Sequence, residues 1–114
     1  MDRLSKTENY RQALCRVIEQ HAKLTASDRQ IESVPICDTT HDHYMLMSLG
    51  RDHIGRAHDI LIHLRLKEGR VHIEWDGIED GIVEDLIEAG IREEDIVQTS
   101  GDYESESLTE LAAA

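Results

Sequence analysis

The chain has 114 residues, the length of one compact domain, which buries roughly two-thirds of the surface its unfolded form exposes and needs no staples to fold. Against 24 acidic residues stand 12 basic ones, and a formal net charge of -12 disfavours tight direct binding to nucleic acid, where affinity comes from neutralising phosphates with Lys and Arg. No apolar run approaches the ~20 residues of a membrane span, and "MDRLSKTENY" lacks the apolar core of a signal peptide, so a soluble, cytoplasmic protein is expected.

The basic residues are not gathered into a patch. The most basic segment, "RDHIGRAHDILIHLRLKEGR", is interrupted by Asp52, Asp59 and Glu68. The acidity fits a basic protein partner, and solubility alone explains it equally well. Cys15 and Cys37 are far apart in sequence and show neither C-x-x-C spacing nor the density of a disulfide scaffold. They read as free thiols in a reducing cytosol.

In chain order, Ser5 and Glu8 have the spacing of a capping box, and Tyr10, Leu14, Val17, Ile18 and His21 then share one helical face. This predicts an amphipathic helix ending near "TASD". "QIESVPICD" alternates weakly and carries Pro35, which suits an edge strand or a bulge because proline has no N–H for the ladder. The loop "DTTHD" leads into a second strand, "HYMLMSLG", with Gly50, Gly55 and Gly69 read as scattered turn residues.

"AHDILIHLRLKEGRVHIEWDG" is the most informative segment. A two-residue turn at Glu68-Gly69 sets Leu66 opposite Val71, Leu64 opposite Ile73 and Ile62 opposite Trp75 on the core side. The same register sets Arg65 beside His72 and His63 beside Glu74 on the polar side. Ile82, Val83, Leu86 and Ile87 then mark a second helix, with Gly90 at its C-terminal cap and Ile91 beyond it. Asp76, Glu79 and Asp80 crowd its start, where negative charge is favoured. "REEDIV" is a turn into a short extended piece, and residues 99–114 read as a loosely attached tail of a single domain spanning 1–114. The sum is an α+β domain: a four-stranded antiparallel meander, one helix before it and one after, with one sheet face left open and carrying Asp59, His63, Arg65, His72 and Glu74.

Three constellations suggest chemistry. His41 and His43, two apart on a strand, would point the same way, with Asp38, Asp52 and His53 as further metal-ligand candidates. A strand from 43 to 50 would hold His43 and His53 more than ~20 Å apart, so two loop histidines at opposite ends of a strand are the preferred reading, and no metal is assigned. His63 and His72 across the hairpin, with Glu74 and Arg65 around them, could form an acid–base pair, since a neighbouring carboxylate raises a histidine pKa. No serine, cysteine or lysine completes a catalytic set, and cross-strand polar pairing is the simpler account. "DGIEDG" fails as a calcium loop because Ile78 stands where the second ligand belongs. Trp75 reads as core.

The ordered segments "HDHYMLMSLGRD", "IHLRLKEGRVHIEWDG", "EDGIVEDLIEAGI" and "EEDIV" resemble the XisI family, cyanobacterial controlling factors for excision of the fdxN element. The resemblance spans Tyr10 to Val97. It lies in Asp42-His43-Tyr44, Ile62-His63, the Lys67 to Gly69 turn, Asp76-Gly77, Gly81-Ile82, Gly90-Ile91 and Glu94-Asp95-Ile96-Val97. Ile78 replaces the family's helix-capping threonine, Glu68 the turn aspartate and Arg51 a common aromatic. The tail lacks the Gly-Phe, Pro and Arg pattern, and "LTELAAA" alone resembles its end. The resemblance implies a role in programmed DNA rearrangement during heterocyst differentiation, alongside an XisH-like partner and a separate recombinase. It implies no catalytic residue and no cofactor. Expected, therefore, is a non-enzymatic accessory protein that binds an XisH-like protein. The alternatives are a small enzyme or ligand-binding domain using His63, His72 and Glu74, and a homo-oligomer pairing its open sheets.

Overall fold

The computed structural model describes residues 3–25, 30–51 and 55–99. Helix α1, Arg3–Thr25, turns Tyr10, Ala13, Leu14, Val17, Ile18 and Ala22 inward, as the helical spacing of its apolar residues predicts. The helix already runs at Arg3, so Ser5 lies inside it and not at its cap. Tertiary contacts hold these first turns: Lys6 Nζ stands 3.0 Å from Asp95 Oδ2, and Tyr10 donates its hydroxyl to the same carboxylate at 2.6 Å.

The sheet has five strands in sequential order, β1 Ile31–Asp38, β2 His43–Arg51, β3 Arg56–Lys67, β4 Arg70–Asp76 and β5 Ile96–Gln98. The first four form the expected antiparallel meander, with Pro35 on edge strand β1. The fifth corrects the expected count: the short extended piece runs parallel to β4, pairing Val71 with Ile96 and Ile73 with Gln98. α1 covers one face, and its apolar stripe meets Tyr44, Leu46, Ile62, Leu64, Leu66, Val71 and Ile73, each under a tenth exposed. Removing this much aliphatic surface from water is the main stabilising term.

Glu68 and Gly69 both take positive φ, 55° and 77°, which is the twist a tight hairpin turn requires. Leu66–Val71, Arg65–His72 and Leu64–Ile73 pair as predicted. The register then slips by one: His63 pairs with Trp75 and Ile62 with Asp76, leaving Glu74 as the extra residue of a bulge. Trp75 is thereby turned out of the core and is 55% exposed, and His63 no longer faces Glu74 directly. A second slip, between β2 and β3, makes Leu61 the extra residue there. The two irregularities are linked, because Gly77 donates its N–H to the Leu61 carbonyl at 2.7 Å. A Cβ on Gly77 would sit 2.9 Å from that oxygen.

Gly50 belongs to β2 and not to a turn. Its φ is 149°, and a Cβ there would collide with the Gln30 carbonyl oxygen. After β4, Asp76 accepts the N–H groups of Ile78 at 3.2 Å and Ile82 at 3.0 Å, shaping the entry to α2, Val83–Glu88. No side chain caps that helix in the usual way, which is consistent with Ile78 standing in place of a capping threonine and packing against the core. At its other end Gly90 and Ile91 return N–H groups to the carbonyls of Ile87 and Leu86, both at 3.0 Å, and Ile91 is buried. The expected tail lies almost entirely outside the described residues.

Candidate functional site

Several residues that carry the family resemblance are consumed by the fold. Asp42, at φ 61°, accepts Arg11 Nε at 2.9 Å and the Tyr44 hydroxyl at 2.8 Å, and its carbonyl accepts the Leu66 N–H at 3.1 Å. Burial works to raise the Asp42 carboxyl, but the bonds from Arg11 and Tyr44 overcome it and hold it below its ordinary range. Burial and that same carboxylate push the Tyr44 hydroxyl upward, so it remains a donor. Asp95, nine-tenths buried, is held low chiefly by the Tyr10 hydrogen bond, with Lys6 adding to it, and the Tyr10 oxygen accepts the Arg92 N–H at 3.2 Å. These groups fasten α1 to the meander and to the C-terminal segment.

His43 and His63 are different. They meet on the open face, with His43 Nδ1 3.0 Å from His63 Nε2 and ring centroids 5.3 Å apart. A hydrogen bond between two imidazoles needs one N–H and one bare nitrogen, so the pair is bonded while at least one ring is neutral. Burial, reinforced by His43, lowers the His63 pKa, and the opposing pull of Glu74 does not reverse it. This corrects the expectation that a neighbouring carboxylate would raise it. Glu74 turns to Arg65 at 3.4 Å.

His63 and Glu74 line a surface pocket of about 710 Å³ with Met47, His58, Asp59, Ile60 and Trp75. Ile60, 40% exposed, and Trp75 give the pocket an apolar lining. His72 pairs beside Arg65 and does not line the pocket, so the His63, His72 and Glu74 set does not converge on one point. The bulge at Glu74 is what joins Trp75 to this face. No described helix covers it.

The metal candidates separate. His41 lies in the turn before β2 and places Nδ1 3.0 Å from Asp38 Oδ2, whereas His43 turns to His63. Asp38 also accepts the N–H groups of Thr40 and His41, both at 3.0 Å, and these bonds, with the His41 ring, lower its pKa. Asp52 and His53 lie outside the described residues. Cys15 and Cys37, distant in sequence, meet between α1 and β1, where burial and the neighbouring thiol push Cys37 up to about 12. Buried His21 places its Nε2 2.7 Å from Asp85 Oδ2.

The family model described as XisI protein matches residues 1–113. Among solved structures, the chain is similar to a XisI-like protein from Anabaena variabilis ATCC 29413, with 26% identity and a TM-score of 0.73 over 80% of this chain and 84% of that one. It is also similar to the fdxN element excision controlling factor XisI from the same organism, with 27% identity and a TM-score of 0.67 over 81% and 89% of the two chains. No curated protein matches it. With the helix, the five-stranded sheet and the ordered motifs all in agreement, the chain belongs to the XisI family.

Proposed function

We propose that this protein is a non-enzymatic accessory factor in the cytoplasm of a cyanobacterium that controls excision of a DNA element by site-specific recombination, and that it acts by binding an XisH-like protein through the open sheet face. The observation that carries this reading is the uncovered patch of Ile60, Met47 and Trp75 beside the His43–His63 pair, since exposed apolar groups clustered on a rigid sheet mark an interaction surface. Likeness to an excision controlling factor supports the process, and the net charge of -12 supports a protein partner over the duplex itself.

The test is co-purification with an XisH-like protein from the same genome, alongside an excision assay on a plasmid carrying an element and its recombinase. Stable co-purification, together with excision that depends on both proteins, is expected. Tight binding of the isolated protein to duplex DNA at physiological salt, with no complex, would overturn the reading.

A further inference from the structure

We infer that the pocket around Trp75 receives a basic side chain, arginine above all, from an amphipathic segment of the partner, with the guanidinium over the indole beside Glu74 and a neighbouring apolar side chain on Ile60 and Met47. The inference rests on the proposed function and names the chemistry of its contact.

Three features of the pocket select this occupant. Trp75 is more than half exposed, and an indole face is the best aromatic surface for a guanidinium. Asp59 and Glu74 line the same pocket, so it is bordered by an acidic residue from each of β3 and β4. Arg65 engages Glu74 at 3.4 Å with both side chains about a third exposed, a contact open enough for an incoming guanidinium to share. Met47 and Ile60 supply the apolar floor, and a volume of about 710 Å³ holds more than one side chain. Tryptophan and arginine are both enriched among the energetic centres of interfaces.

Charge decides against the other occupants. A second copy would bring another chain of net charge -12, and a phosphate backbone would meet a pocket lined by two acidic residues. A cationic segment gains from both terms.

Trp75 is the sole tryptophan, so its emission reports this pocket alone. The experiment titrates the full chain with a blocked peptide of alternating leucine and arginine, beside matched peptides carrying citrulline or glutamate in place of arginine. A saturable change in emission is expected with the arginine peptide, at least tenfold weaker with citrulline, and absent with glutamate. Asp59→Asn combined with Glu74→Gln should weaken the arginine peptide at least tenfold while leaving the thermal melt unchanged. Equal binding of the citrulline peptide, equal binding by the double variant, or no saturable response to millimolar peptide would overturn the inference. So would a dimer in light scattering that Trp75→Ala dissociates. If an XisH-like protein binds wild type and double variant equally, the anchor falls and the proposed function stands. If the arginine peptide binds as expected and no such complex forms, the anchor stands and the functional reading falls.

Discussion

The two faces of one sheet use the same residue types for different ends. On the side that α1 covers, polar groups are tied within the chain: Asp42 to Arg11 and Tyr44, Asp95 to Tyr10 and Lys6. On the other side two imidazoles bond each other, and Ile60 and Trp75 stand exposed in a shared pocket. Asp42 and His43 are neighbours in one motif, yet Asp42, in the turn at φ 61°, is tied into the fold while His43, the first residue of β2, faces the open side. A motif shared with a family is therefore not one site, and it has to be divided by what each side chain touches.

The sharpest way to break this division is to compare truncations on the two faces. Leu64→Ala, at a fully buried position, should cost about 3 kcal/mol and lower the melting temperature by more than about 10 °C in a calorimetric scan. A loss below about 1 kcal/mol would mean that the covered face is loosely packed. Tyr44→Phe removes one hydroxyl from the Asp42 network and should cost about 1–2 kcal/mol in urea unfolding.

Acid should separate the faces by pH. The folded pKa of His63 lies below its ordinary 6.5, so the folded chain binds fewer protons there than the unfolded one, and the contribution present above that range is lost as pH falls through it. The charged and titratable groups facing it are His43 from β2, Arg65 from β3 and Glu74 from β4. Asp42 and Asp95 are held below 3.8, so their contribution survives until pH falls through the carboxylate range. Urea midpoints should therefore decline in two stages, the first of which His63→Asn abolishes. The smallest effect on stability belongs to Trp75→Ala, within about 0.5 kcal/mol, because the indole stands outside the core. A cost of several kcal/mol would place Trp75 in the fold.

Much of this architecture was legible where local rules dominate. Periodicity located α1 and its buried face, and alternation around Glu68-Gly69 set the first three hairpin pairs. Beyond Ile73 the same alternation puts Trp75 inward, and a large aromatic on an apolar face reads as core. The bulge that reverses it is tied to the Gly77–Leu61 contact, sixteen positions apart, which no local pattern reports. β5 is three residues long and pairs in parallel with a strand more than twenty residues earlier, so its partner cannot be read from its own sequence. Of the site, His63 and Glu74 were visible as polar residues of the open face, whereas the shift at Leu61 pairs Asp59 with Ser48 and puts it out of phase with His63. The His43–His63 pair was not, because it spans β2 and β3 diagonally and needs their register, itself shifted at Leu61. The contact between Cys15 and Cys37 likewise depends on how α1 lies across β1.

The most direct test of the claim that the open face is the working face is the calorimetric affinity for an XisH-like protein, measured for wild type, Trp75→Ala, and Leu24→Ser with Ile87→Ser. The last pair alters large apolar side chains that, among the described residues, are exposed on the helices instead of the sheet. The account predicts at least a tenfold loss for Trp75→Ala with an unchanged melting temperature, and wild-type affinity for the helix pair. Wild-type affinity for Trp75→Ala, with loss in the helix pair, would contradict it.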